Sequence, residues 1–147
     1  MTSEYNRKTG ILTVSDSEKG ITVFAKYFSG TGPLDQIPSG NYAILEGTTV
    51  NGEPRFRLEP YDAVWGDDTH NASGRSLFRL HGPGRSTGCI TACDASNWGV
   101  VRDLIRDTST SSVNVQQSKN FAPGGARLFS VPVGTERLKY YGTLRVD

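Results

Sequence analysis

Two cysteines, two histidines and one methionine in 147 residues narrow what this chain does. A small disulfide-stapled domain shows an even set of cysteines spread along the sequence. Here Cys89 and Cys93 sit so close that a bridge between them closes only a tiny loop and stabilises little. Both read as free thiols. A structural zinc site wants four ligands in paired clusters, and His70 and His81 with two neighbouring cysteines do not supply them, so neither metal nor cofactor is expected. No apolar run approaches the ~20 residues of a membrane-spanning helix. The charge nearly cancels, 16 basic against 15 acidic residues, which argues against a nucleic-acid footprint. Met1 to Asn6 shows neither a basic n-region nor an apolar h-region, so no signal peptide is expected. No internal repeat is present.

What is abundant is glycine, at 17 residues, as suits many tight turns and short strands. By length the chain is one domain, residues 1–147, long enough to hide roughly 70% of its unfolded surface. Gly10–Val14 and Gly20–Tyr27 are rich in β-branched and aromatic residues around a turn-like Ser15–Gly20, a hairpin signal. A loop over Ser29–Gly40 and a strand over Asn41–Leu45 follow. Asn51-Gly52 predicts a type I′ turn, and Arg55–Leu58 alternates as a half-buried strand does. Glu59–Ser76 reads as a long solvated connection; its Gly66–Asn71 stretch lacks the spacing and closing Glu of an EF-hand. Ser76–His81 is the next strand. Asp94 or Ser96 caps a helix that buries Trp98, Val101, Leu104 and Ile105 and ends near Asp107. Val113–Val115, Leu128–Val133 and Tyr140–Val146 read as strands, with a turn at Pro123–Gly125. The expected class is mainly β, a mixed sandwich or barrel-like sheet with one substantial helix.

The chemistry concentrates in His81-Gly82-Pro83-Gly84-Arg85-Ser86-Thr87-Gly88-Cys89-Ile90. This loop carries an imidazole and a thiol. A free thiol is mostly protonated at neutral pH, and a neighbouring imidazole that takes its proton yields a reactive thiolate–imidazolium pair. Glycines allow the tight path, and Gly88 lets a substrate carbonyl approach the main chain. The amides of Gly88 and Cys89 then form an oxyanion hole. Alternation places Leu77, Arg79 and His81 on one strand face and Phe78 and Leu80 on the core side. Arg79 beside His81, or Arg85 within the loop, is suited to hold a substrate carboxylate in a bidentate pair; a solvated or Asp-paired Arg79 is the plain alternative. Residues 82–87 lack the Gly-Lys-Ser/Thr ending of a phosphate loop.

His81-Gly82 followed by Ser86-Thr87-Gly88-Cys89-Ile90 resembles the signature of the L,D-transpeptidases (YkuD-type catalytic domain). The spacer is shorter than usual, and Thr87 stands where that family has a second histidine. Both departures are similar to a compact subgroup, the L,D-transpeptidase-like effectors of type VI secretion. Tyr27-Phe28-Ser29-Gly30 and Gln36-Ile37-Pro38-Ser39-Gly40-Asn41-Tyr42 resemble two further elements of that subgroup. The resemblance runs from about Gly10 to Arg106. It implies a mixed-β sandwich with a helix after the cysteine loop. It also implies Cys89 as nucleophile, His81 as base and the Gly82 carbonyl orienting His81; Ser86, Thr87, Arg79 and Arg85 are the candidate substrate residues. The implied activity is L,D-carboxypeptidase or L,D-transpeptidase chemistry, with D-amino-acid exchange, on peptidoglycan tetrapeptide stems. The implied setting is a protein made in the bacterial cytoplasm and delivered to a target cell's periplasm, with a secretion-apparatus component and a cognate immunity protein as partners. Papain-like and NlpC/P60 peptidases place Cys before His, the reverse of this chain. A β-sandwich binding module is the non-enzymatic rival and predicts an unreactive Cys89.

Overall fold

The computed structural model describes residues 1–32, 35–86, 88–116 and 134–147. The expected strand at Leu128–Val133, the turn at Pro123–Gly125 and Thr87 lie outside the described residues. Strands β1 (Thr2–Asn6), β2 (Ile11–Asp16) and β3 (Ile21–Ser29) form a meander. Strand β4 (Gly40–Leu45) leads to the small hairpin of β5 (Thr49–Val50) and β6 (Glu53–Pro54). Between them Asn51 and Gly52 both take positive φ, 51° and 79°, as a type I′ turn requires. Strand β7 (Phe56–Pro60) is followed by a second small hairpin, β8 (Thr69–His70) with β9 (Arg75–Ser76). Then come β10 (Arg79–His81), β11 (Ile90–Ala92), helix α1 (Ala95–Asp107), β12 (Ser111–Gln116) and β13 (Thr135–Val146).

The large sheet runs β1-β2-β3-β11-β10-β7-β4-β13-β12, and β1 also pairs in parallel with β13, Thr2 beside Thr143 and Tyr5 beside Val146. That pairing closes eight strands into a mixed barrel with β12 hung outside. Closure needs a close approach at Gly142, where a Cβ would lie 2.0 Å from the Met1 carbonyl oxygen. The fold is thus mainly β with one helix. The interior is filled by alternate residues of every ring strand, including Tyr5, Leu12, Tyr27, Ile44, Leu58, Leu80, Ile90 and Leu144. Trp98, Val101, Leu104 and Ile105 of α1 join the same cluster, so the helix packs its one apolar stripe onto the barrel's core. Asp94 caps it, accepting from the Asn97 amide at 2.8 Å. At its other end the Thr108 hydroxyl donates to Asp16 at 2.9 Å, tying the helix to the β2–β3 turn.

The structure departs from the sequence reading at four places. Strand β1 has no counterpart in the sequence reading, because the inward residues of Thr2–Asn6 are Ser3 and Tyr5, too polar a pair to register as a core face. Strand β7 is buried on both faces rather than half-buried. Its polar residues pair with each other, Arg57 Nη2 with Glu59 Oε1 at 2.9 Å, and Arg57 also donates to the carbonyls of Gly66 and Gln116. The connection after β7 is solvated only in part: Tyr61, Val64 and Trp65 are exposed, but Asp67, Asp68 and Thr69 are buried, and Asp68 bonds to Glu59 of β7 and Arg79 of β10. Polar residues read as solvent-facing one at a time, but here they compensate one another. The strand expected over Ser76–His81 begins only at Arg79, because Leu77 turns into the left-handed region at φ 65°.

Candidate active site

Strands β10 and β11 are parallel neighbours, with Leu80 opposite Ile90 and His81 opposite Thr91. Leu80 and Ile90 face the barrel interior, so Arg79, His81 and Thr91 lie on the outer face. Cys89, one residue before β11, belongs to that face too, diagonal to His81. Adjacent parallel strands normally need a dozen or more linking residues; here residues 82–89 suffice, because the loop is pinned from the side. The Ser86 hydroxyl donates to the Cys89 carbonyl at 2.6 Å and accepts from the Gly30 amide at 2.9 Å. The Ser29 hydroxyl donates to the Gly88 carbonyl at 3.0 Å and accepts from the Ile37 amide at 2.8 Å. Arg75 donates to the carbonyls of Gln36 and Asp35 at 2.7 and 2.9 Å, and its guanidinium lies 5.1 Å from the centre of the Phe78 ring. Gly88 (φ 122°) fits beneath it: a Cβ there would stand 2.2 Å from Arg75 Nη2.

His81 is buried, and its Nδ1 lies 2.7 Å from the Gly82 carbonyl oxygen. A carbonyl only accepts, so Nδ1 carries the proton and Nε2 is bare. Nε2 accepts from the Thr91 hydroxyl at 3.2 Å. The Cys89 thiol donates to the Leu77 carbonyl at 3.8 Å, and the Arg79 main-chain amide also approaches the sulfur. Burial raises the thiol's pKa, opposed by the Arg79 amide and by the charges of Arg79 and Arg55. Burial lowers the pKa of His81, helped by Arg55 and opposed by the Gly82 bond. Both directions favour neutral groups. The thiol and the imidazole are each bonded elsewhere, to Leu77 and to Thr91; catalytic bonds often tighten only with substrate bound.

The expected substrate residues fare differently. The Arg79 guanidinium is already held bidentately by Asp68, Nη1–Oδ1 at 2.8 Å and Nη2–Oδ2 at 2.7 Å, so its fork faces an aspartate and not the groove. Ser86 is buried and spends its hydroxyl on the loop's own backbone. Arg85 is exposed on the loop, and Gly82 orients His81 and backs onto the Trp98 ring. Asp68, Thr91 and Arg55 were not singled out as site residues in the sequence, and Ser29 only as part of an element. Only Ser29 had a signal, the Tyr27–Gly30 element; the rest depend on cross-strand neighbours. Both cysteines are free, and His70 bonds to Ser73. Among the described residues no cluster of His, Cys, Asp or Glu is suited to a metal ion, and no helix is long and apolar enough to cross a membrane.

A groove of about 360 Å³ opens on His81, lined also by Glu53, Arg55, Gly82, Pro83 and Trp98. Its wall is fixed by Glu53, which accepts from Trp98 Nε1 and from Arg102, each at 3.0 Å. Comparison with protein-family models, with curated proteins and with solved structures returns no match.

Proposed function

We propose that this chain is a cysteine-dependent enzyme of peptidoglycan stem peptides, working through a thioester on Cys89. The observation that carries the reading is the 2.7 Å bond between His81 Nδ1 and the Gly82 carbonyl. It leaves Nε2 as the basic nitrogen, on the sheet face shared with Cys89. The resemblance of the Cys89 loop to the L,D-transpeptidases supplies the substrate class.

On this reading Nε2 takes the thiol proton as the sulfur attacks the carbonyl carbon of the L-centre in a tetrapeptide stem. The Gly88 and Cys89 amides stabilise the oxyanion. The C–N bond then breaks, and His81 gives its new proton to the leaving amine of the terminal D-alanine. Water on the thioester yields carboxypeptidase activity; an amine yields transpeptidation or D-amino-acid exchange. The same resemblance supports an antibacterial effector that acts in a target cell's periplasm and has an immunity protein. Purified tetrapeptide muropeptides, incubated with the protein and analysed by mass, are expected to lose D-alanine or exchange it, and to stay intact with Cys89→Ala. Tetrapeptides left intact by the wild type overturn the reading.

A further inference from the structure

Arg55 lines the groove that holds His81. It immediately precedes β7, and its amide donates to the Thr48 carbonyl at 2.8 Å. The β7–β10 register, Phe56 with Leu80 and Arg57 with Arg79, brings the next pair, Arg55 and His81, opposite one another. The side chain is exposed and has no ion-pair partner among the described residues. The neighbouring cations are committed: Arg57 to Glu59, Arg79 to Asp68, Arg102 to Glu53. The Arg55 charge also reaches both reacting groups, lowering the pKa of the Cys89 thiol and of His81.

We propose that Arg55 is the anion subsite that receives the free carboxylate of the residue being released. This rests on the reading above and gives it a selectivity. In a stem's last residue the leaving amine and the terminal carboxylate are bonded to the same carbon. If His81 protonates that amine, the carboxylate must come to rest within a few bonds of the imidazole, where Arg55 offers a planar fork of donors. Peptides that continue past this residue, or end in an amide, lack the charge and forfeit the contact.

The test compares alkylation of Cys89 by anionic iodoacetate and neutral iodoacetamide in a Cys93→Ser background. Both reagents meet the same thiolate, so their rate ratio cancels thiol acidity and reports the local cation. Arg55→Ala is expected to lower the iodoacetate-to-iodoacetamide ratio by at least about threefold, the scale of one unscreened charge a few ångströms away in water. Arg55→Lys and Arg85→Ala should keep it. With tetrapeptide, Arg55→Ala should raise KM at least ~10-fold, the worth of a charge-assisted bond, and should raise KM for the C-terminal amide far less. An unchanged ratio in Arg55→Ala, or a fall in Arg85→Ala instead, overturns the subsite whatever the activity. A fall confined to Arg55→Ala in a protein that leaves tetrapeptides intact supports the anion site and overturns the peptidoglycan reading.

Discussion

Asp68 grips Arg79 with both carboxylate oxygens, while its own carbonyl accepts the Leu77 amide at 3.1 Å and the Leu77 carbonyl accepts the Cys89 thiol. Asp68 and Leu77 both hold left-handed backbone, φ 56° and 65°, a strained choice for non-glycine residues that persists only where surroundings enforce it. Asp68→Ala should leave the largely buried Arg79 guanidinium without this bidentate counter-ion, at about 3 kcal/mol. Urea unfolding is expected to show a large fall in midpoint. Asp68→Ala combined with Arg79→Met should lose less than the sum of the singles, because no stranded charge remains. Strict additivity would show that the two side chains do not act as a pair.

Gly88→Ala is expected to break the Cys89 loop. The position combines φ 122° with an Arg75 nitrogen where the new methyl must go, and a non-glycine residue there costs about 1–3 kcal/mol before the clash. Gly82→Ala meets only the Trp98 ring at 3.1 Å and has no positive φ, so it should cost less. Thermal unfolding of both variants, with iodoacetamide labelling of Cys89, checks the order; equal stability of Gly88→Ala and wild type contradicts the packing described.

Glu59 makes stability depend on pH with an unusual sign. Burial pushes its carboxyl up to about 6, opposed by Arg57 and the Asp68 amide, and its Oε2 has no hydrogen-bond partner. The folded carboxyl thus holds its proton over a range, from about 4.5 to about 6, where the unfolded one has lost it. The folded state binds more protons there, so this group's contribution falls as pH rises and is level above that range. Glu59→Gln, a mimic of the protonated form, removes the dependence. The difference in unfolding free energy, wild type minus Glu59→Gln, should drop by about 2 kcal/mol between those pH values, at 1.4 kcal/mol per unit. A difference that rises with pH contradicts the assignment.

Cys89→Ala should abolish turnover with an unchanged circular dichroism spectrum, since loss of the nucleophile removes the covalent path. Cys93→Ser, at an exposed thiol, should be nearly silent. On the proposed reading, expression in the cytoplasm is harmless and fusion to a periplasmic export signal is toxic, with swollen or misshapen cells. Cys89→Ala should remove that toxicity. Equal toxicity from the cytoplasm points to an intracellular target.

Periodicity in the sequence was enough for the β2–β3 hairpin, β4, the type I′ turn at Asn51-Gly52 and the helix from its Asp94 cap to Asp107, because these depend on neighbours along the chain. The proximity of His81 and Cys89 was legible for the same reason: one short glycine-rich loop joins them. Where the side chains point was not. The thiol bonds to Leu77 and the imidazole to Thr91, and those partners exist only once β10 and β11 pair in parallel. For Arg79 the choice between a substrate carboxylate and an Asp partner stayed open, because its counter-charge, Asp68, lies in a segment with no pattern of its own. Arg55 was passed over because only the β7–β10 register sets it opposite His81. Strand alternation says which face a residue takes, while the identity of its cross-strand neighbours, and with it the charge state of every buried group, is decided by how the barrel closes.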